Sequence, residues 1–328
     1  MDKQKIDSQT VPNDGLLGIY VITYNRAENL RQTLNYIDNS RLRDFPITVL
    51  NNCSDDNTVA VAESFIGQLP DFKVISNKYN IGLGANFLKT FDLGDYRYTW
   101  VLCDDDFISP SDMDDVLQVI QKGEVDLIHV GAHAQKVWPF GGCTLTPKQL
   151  LDKGYPYFKF SSFIPCNIFK TESFINYSMA KAYGNIVNAY PHMPFLFNMY
   201  EQDVELYICK NPLVIANPSN SGYSLETWYN WWMKTCELLS NKEDVRQAYL
   251  DQWQSICESN VEDAFRNFSR AKKEFKNKSY FIQFQEKYFN KQDIKTIAKY
   301  DKFLQTRSER IQSIVSNKLN ALKKVLIS

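Results

Sequence analysis

The sequence predicts an α/β protein with a mainly parallel, doubly wound sheet, helices on both of its faces, and an α-helical C-terminal extension. Three observations predict this class. Short apolar runs alternate with amphipathic stretches through residues 16–130, the pattern of successive strand–helix units. The first run, Leu16-Leu-Gly-Ile-Tyr-Val-Ile-Thr23, is continuously apolar, as a central strand covered on both faces must be. From Trp231 onward the chain has neither proline nor glycine, so nothing there interrupts helical patterning.

The elements follow in order. The first strand breaks at Tyr24-Asn25-Arg26, and Leu30, Leu34 and Ile37 then recur at helical spacing. Ile47-Thr-Val-Leu50 reads as a second strand that runs into a polar loop, Asn51 to Thr58. That loop opens a helix with Val59, Ala62 and Phe65/Ile66 on its apolar face. Lys73-Val-Ile-Ser76 is a third strand, followed by Asn80-Ile-Gly-Leu-Gly-Ala-Asn86 and a helix through Leu93. The Gly82-Leu-Gly84 pair is not G-x-G-x-x-G, because position 87 is Phe; it serves as loop punctuation or lets backbone N–H groups approach an anion. A fourth strand from Tyr98, a helix over Met113–Lys122, and strands at Val125–Val130 and Glu205–Ala216 complete the frame. In such sheets ligands sit beyond the carboxyl ends of the strands, where all of these polar loops fall.

The fourth strand carries the chemistry. Tyr98-Thr-Trp-Val-Leu-Cys ends on Asp104, Asp105 and Asp106. Three adjacent carboxylates repel one another and must be hydrated, hydrogen-bonded or neutralised by a cation. Capping of the next helix does not require them, since Ser109, Ser111, Pro110 and the early acids Asp112, Asp114 and Asp115 already mark its start. Alternation along an extended segment would turn Asp104 and Asp106 toward one ion and Asp105 away. Oxygen-only ligands suit Mg²⁺ or Mn²⁺, which share their shell with substrate phosphates.

Taken together, Thr23-Tyr-Asn-Arg26, Asn51-Asn-Cys-Ser-Asp-Asp-Asn-Thr58, Asn80-Ile-Gly82 and Cys103-Asp-Asp-Asp106 resemble the motifs of GT-A fold family 2 glycosyltransferases. The resemblance covers about residues 16–220, and the Cys-Asp-Asp-Asp variant with Tyr190-Pro-His192 is similar to abequosyltransferase-like enzymes of bacterial surface polysaccharide assembly. It implies a nucleoside-diphosphate sugar donor and a glycan or lipid-linked glycan acceptor of the lipopolysaccharide O-antigen or capsule type. It further implies that Thr23, Tyr24, Asn25, Arg26, Asn51, Asn52, Asp56, Asn80, Gly82, Asn86, Asp104 and Asp105 line the nucleotide-sugar site, with Asp104 and Asp106 as ligands of Mn²⁺ or Mg²⁺. One departure is informative: Asn51 stands where the family usually has Asp. An amide can both donate and accept, so it permits a cytosine as well as a uracil base, a CDP- or UDP-class donor.

On the acceptor side, the resemblance puts an acidic base near the start of the helix after Tyr190. That place is held by His192, with Glu201 and Asp203 further along. A histidine at a helix N-terminus has its cation disfavoured by the dipole and stays basic. His192 is therefore the first candidate base for an inverting transfer and Asp203 the second; a hydrogen-bonded corner is the structural alternative for His192. His129 and His133 share a strand face without a third ligand and read as structural. Ser161 and Ser162 are weaker candidates for contact with donor or acceptor.

Composition bounds the rest. The 328 residues carry a net charge of −1, which offers no argument for nucleic acid. Residues 262–328 hold 16 Lys/Arg and 7 Asp/Glu, a net of +9, so the other 261 residues carry −10. The boundaries expected are a flexible tail at 1–14, the catalytic domain at 15–225 and a basic helical region at 226–328. In that last region Ile311, Ile314, Val315, Leu319, Leu322, Val325 and Leu326 form one stripe flanked by Lys318, Lys323 and Lys324. Packing on the catalytic domain, self-association and a membrane surface are the contacts open to it. Seven scattered cysteines with no C-x-x-C pair argue for a reducing compartment. With no signal-like segment and no long apolar run, the expected location is cytoplasmic, peripheral at most on the inner face of the inner membrane. A rival class is a catalytically silent nucleotide-sugar-binding or scaffold protein of an assembly complex.

Overall fold

In a computed structural model, residues 15–109, 113–133, 141–186, 190–216, 225–239, 242–252 and 287 are described. The chain divides into two compact units, Met1–Asn220 and Ser221–Ser328.

The first unit alternates strand and helix as expected: β1 (Leu17–Thr23), α1 (Ala27–Asp38), β2 (Ile47–Asn51), α2 (Thr58–Glu63), β3 (Phe72–Ser76), α3 (Leu83–Asp92), β4 (Tyr98–Cys103), β5 (Asp106–Ile108) and α4 (Met113–Lys122). After β6 (Leu127–His129) come β7 (Cys143–Leu145), α5 (Pro147–Asp152), α6 (Tyr157–Ser161), β8 (Asn167–Lys170), α7 (Thr171–Tyr183), α8 (Met193–Gln202), β9 (Leu206–Ile208) and β10 (Val214–Ala216). Eight strands form one sheet in the order β3-β2-β1-β4-β8-β6-β9-β7. β1, β2, β3 and β4 pair in parallel, β8 runs against both β4 and β6, and β9 is parallel to β6. The antiparallel members are thus β8 and β7, and the sheet is mainly parallel.

Alternation along the strands feeds two cores. Leu17, Ile19 and Val21 of β1 and Trp100 and Leu102 of β4 join Leu30, Leu34 and Ile37 of α1, Val61 of α2 and Val116 and Ile120 of α4. On the other side an aromatic cluster joins Phe87 and Phe91 of α3, Phe169 of β8, Phe174 of α7 and Phe195 of α8. Helices therefore cover both faces, and the apolar area they remove from water at about 25 cal/mol per Å² supplies most of the driving force.

Glu205–Ala216 is not one strand. β9 stays in the main sheet, and β10 leaves it to pair antiparallel with β5. Lys210-Asn211-Pro212 explains the break: a proline cannot donate to a ladder, and Asn-Pro favours a turn. Asp115 of α4 secures that turn by accepting from Tyr207 Oη at 2.6 Å and from the Lys210 N–H at 2.9 Å.

In the second unit, α9 (Leu225–Glu237) precedes a helix over residues 243–252. Trp232 stacks on Tyr249 with ring centroids 4.4 Å apart. Trp138, the N-terminal tail and the basic apolar stripe at 311–326 lie outside the described residues. Among the described residues no helix is long and apolar enough to cross a membrane.

Candidate functional site

The parallel register places Thr23, Asn51 and Ser76 in one row at the carboxyl edge of β1, β2 and β3, with Cys103 of β4 beside Ile22. The next residue of β4's chain, Asp104, therefore arrives beside Thr23. Thr23 Oγ1 donates to Asp104 Oδ2 at 2.7 Å, and Thr33 Oγ1 of α1 donates to the Asp104 carbonyl at 2.9 Å. Arg26 Nη1 donates to Asp104 Oδ1 at 3.0 Å and to Asp105 Oδ2 at 2.6 Å. The first and fourth strand ends are thus locked together by one threonine and one guanidinium.

The three acids take different environments. Asp106 is only 3% exposed; it opens β5, and its Oδ2 accepts the Cys103 N–H at 3.2 Å. Burial pushes its carboxyl up to about 8, with the Asp105 charge adding to the rise. Burial also raises Asp104, to about 6, against the opposing pull of Thr23 and Arg26. The Cys103 thiol is pushed up by burial and by all three acids. Cys103, Asp105 and Asp106 each offer a donor atom, and those atoms lie within 4.8 Å of one another. Two carboxylate oxygens so placed fit a hard divalent cation, with substrate phosphates completing the shell. The pairing differs from the alternation argument, because β4 ends at Cys103 and Asp104-Asp105 form a turn before β5. Alternation holds only within a strand, so Asp105 rather than Asp104 comes beside Asp106, and Asp104 is engaged by Thr23 and Arg26.

The neighbouring loops are braced by a network of amides. Asn51 Oδ1 accepts the Ser54 N–H at 3.1 Å, and its Nδ2 donates to Ser76 Oγ at 3.1 Å. Asn52 Oδ1 accepts from Asn77 Nδ2 and the Ile81 N–H, both at 3.0 Å, while its Nδ2 donates to Asn80 Oδ1 at 2.9 Å. Asn80 Oδ1 also accepts the Gly82 N–H at 2.9 Å. Gly82 precedes α3 with φ 81° and ψ 160°, a region essentially closed to other residues. Asn86 is 2% exposed; it donates to the Leu50 carbonyl and accepts from Asn77 Nδ2 at 2.7 Å. It shapes the edge from beneath.

The first two loops brace each other as well. Asn25, at φ 52°, donates its N–H to Ser54 Oγ and accepts the Asp55 N–H. Asp56 accepts the N–H groups of Ala27 and Thr58. Burial raises the Asp56 carboxyl, but the hydrogen bonds from Thr58 and Ala27 outweigh it and hold the group below its ordinary value. Tyr24 faces outward, 44% exposed, and Asn25, Asp55 and Asp56 are exposed as well.

Sequence reasoning missed Asn77, Lys89, Thr33 and Thr58. Lys89 Nζ donates to Asn77 Oδ1 at 2.6 Å, and Thr58 Oγ1 accepts the Arg26 N–H at 3.0 Å. Asn77 had a readable signal: it follows β3 as Asn52 follows β2, and its N–H bonds the Asn51 carbonyl just as Asn52's bonds that of Thr23.

Neither predicted base is placed to act as one. His192 does precede α8, but it is fully buried among Phe87, Phe169 and Tyr190 and donates Nε2–H to the Ser161 carbonyl at 2.9 Å. Burial lowers it to about 4, so it is neutral, yet a base must also reach the proton it takes. Asp203 caps α8 at its C-terminus with φ 52° and precedes β9. Because β9 is parallel to β6, and β6 shares β4's direction through β8, Asp203 lies at the edge where parallel strands begin. That is the edge opposite Asp104. His129 is structural as expected, bonded to Tyr155 Oη at 2.7 Å and Asn167 Oδ1 at 3.2 Å. Ser161 is buried in the same polar core.

A mainly parallel α/β sheet with an acid-tipped strand and amide-braced loops at one edge defines a class, and the comparisons agree with it. Residues 18–146 match the family model described as glycosyl transferase family 2. Over that segment the chain is similar to glycosyl transferase family 2, and its sheet has the α/β architecture of the solved structures it resembles. Abequosyltransferase RfbV of Salmonella typhimurium is 28% identical over 116 residues, 34% of this chain; the match spans about a third of that relative's length (34%). Residues 1–349 of S. aureus TarS superpose with a TM-score of 0.55 at 17% identity, covering 74% of this chain and 73% of that one. The structure of the same TarS segment with UDP-GlcNAc gives 0.55 at 17%, covering 76% and 74%.

Proposed function

We propose that the chain transfers a sugar from a nucleoside-diphosphate sugar to a hydroxyl of a bacterial surface glycan. The observation that carries this reading is the meeting of four strand ends at one edge, tied by the Thr23–Asp104–Arg26 bonds. Three amide-braced loops there suit a nucleoside, and the acids beside them suit a diphosphate with its cation. The abequosyltransferase relative and the nucleotide-bound TarS structures support the donor class and a glycan acceptor.

Thr23, Asn51 and Asn80 would border the base and ribose. With its oxygen on Ser54 and one amide hydrogen on Ser76, Asn51 has a second hydrogen for a base acceptor. Cytosine N3 or a pyrimidine carbonyl fits that hydrogen, hence a CDP- or UDP-class donor. Asp105 and Asp106 would hold Mn²⁺ or Mg²⁺, and the ion when bound would offset charge on the departing diphosphate. Arg26 lies within reach of the same anion. The work takes place on the cytoplasmic side, with the basic C-terminal region as the contact to a membrane surface or a second copy.

Thermal-shift measurements against CDP-, UDP-, GDP- and dTDP-sugars with Mn²⁺ identify the donor, and release of nucleoside diphosphate tests transfer. Asp106→Ala should abolish that release; near-normal turnover in its presence would sink the reading. A silent binding protein would show the thermal shift without any metal-dependent release.

A further inference from the structure

We infer that Arg26 is an internal counter-cation that competes with the divalent ion for Asp105 and is handed to the diphosphate when that ion binds. The inference rests on the reading of Asp105 and Asp106 as the cation-facing acids. Its geometric basis is that one carboxylate has two claimants. Asp105 belongs to the donor set whose atoms lie within 4.8 Å of each other, yet its Oδ2 is held by Arg26 Nη1 at 2.6 Å. The same nitrogen spans to Asp104 Oδ1 at 3.0 Å. A guanidinium stays charged under all working conditions, so Arg26 does not release the acids by losing its own proton, and a competing cation can displace it.

The backbone of Arg26 is fixed and the side chain is the part that can move. Its N–H bonds Thr58 Oγ1, and its carbonyl accepts the Leu30 N–H at 2.9 Å. The side chain is 28% exposed, against 5% for Asp104 and 17% for Asp105. Charge counting fits a relay. With a divalent ion bound and all three acids ionised, the carboxylates, Arg26 and the ion sum to zero. The guanidinium is then no longer the acids' main neutraliser, and its planar fork suits a phosphate. Metal and nucleotide would therefore bind cooperatively, each making the other's partner available.

The test is Mn²⁺ binding by calorimetry and by electron paramagnetic resonance, with and without the nucleoside diphosphate that stabilises the wild-type protein most. Without nucleotide, Arg26→Gln should bind Mn²⁺ about tenfold more tightly than wild type, the size expected for removing a competing partly exposed charge. The gain in Mn²⁺ affinity on adding nucleotide should shrink in the variant. Arg26→Lys, which keeps the charge on a shorter and more flexible side chain, should fall between the two, and it serves alone if Arg26→Gln does not fold. Equal or weaker Mn²⁺ binding by the folded variants overturns the counter-cation role and leaves the metal assignment standing. Absence of Mn²⁺ binding in wild type and variants alike overturns both.

Discussion

Asp106 stores free energy that a neutral isostere should release. Its carboxyl, ordinarily near 3.8, sits at about 8 in the folded chain because burial penalises its charge. A carboxyl raised on folding favours the fold below its unfolded value and loses that contribution as pH rises toward the folded one. At pH 7 the folded group is mostly protonated and the unfolded one ionised. With about 1.36 kcal/mol per pKa unit over the 3.2 units from 3.8 to 7, the cost is about 4 kcal/mol. At pH 5 the same arithmetic leaves about 1.6 kcal/mol. Asp106→Asn keeps an oxygen to accept the Cys103 N–H and has no charge to bury. Urea unfolding in EDTA should therefore find the variant more stable than wild type, by an amount that grows by about 2–3 kcal/mol between pH 5 and pH 7. Titrating groups remote from Asp106 are common to both proteins and cancel in the difference. Added Mn²⁺ should stabilise wild type and leave the variant unchanged. A difference that does not change with pH, or a variant less stable at pH 7, would refute the reasoning. Stability given up at a site in this way is the usual cost of function.

Two further outcomes follow from the same geometry. His192→Ala should cost about 2–4 kcal/mol of stability through lost packing and the lost Ser161 bond, with turnover of the folded fraction within about threefold of wild type; a drop of more than about a hundredfold at unchanged stability would restore His192 as the base. Gly82→Ala should cost about 1–3 kcal/mol despite open space beside it, because its φ of 81° rather than crowding excludes a side chain; donor affinity should fall with it, and unchanged stability and affinity would show that the loop before α3 relaxes freely.

The strand ends were legible and the base was not, for reasons that concern how far each signal reaches. β1 to β4 and the helices between them could be placed from local apolar periodicity, and parallel pairing then sends every strand's carboxyl end to one edge. Thr23, Asn51 and Asp104 needed nothing more than that. The role of each acid needed one further fact, the turn at Asp104-Asp105. It breaks the alternation and hands Asp104 to Arg26, and no propensity distinguishes three successive aspartates from one another. Asn77 carries no message as a single asparagine; it becomes visible once the register shows it one step beyond β3, as Asn52 is beyond β2. His192 depends on the longest reach. A histidine before a helix is equally consistent with an exposed base and a buried corner, and the choice is made by Phe87, Phe169 and Ser161, from three separate stretches of chain.

Asp203 failed for a topological reason that was available in principle. A helix of ten residues carries the chain roughly 15 Å at about 1.5 Å per residue, and the strand that follows it, β9, runs in β4's direction. The C-terminal end of α8 therefore belongs to the edge where parallel strands begin, whichever side chain stands there. Proximity in sequence to a predicted catalytic helix is weaker information than the direction of the next strand. A base for this site is to be sought among groups that reach the carboxyl edge of β1 and β4.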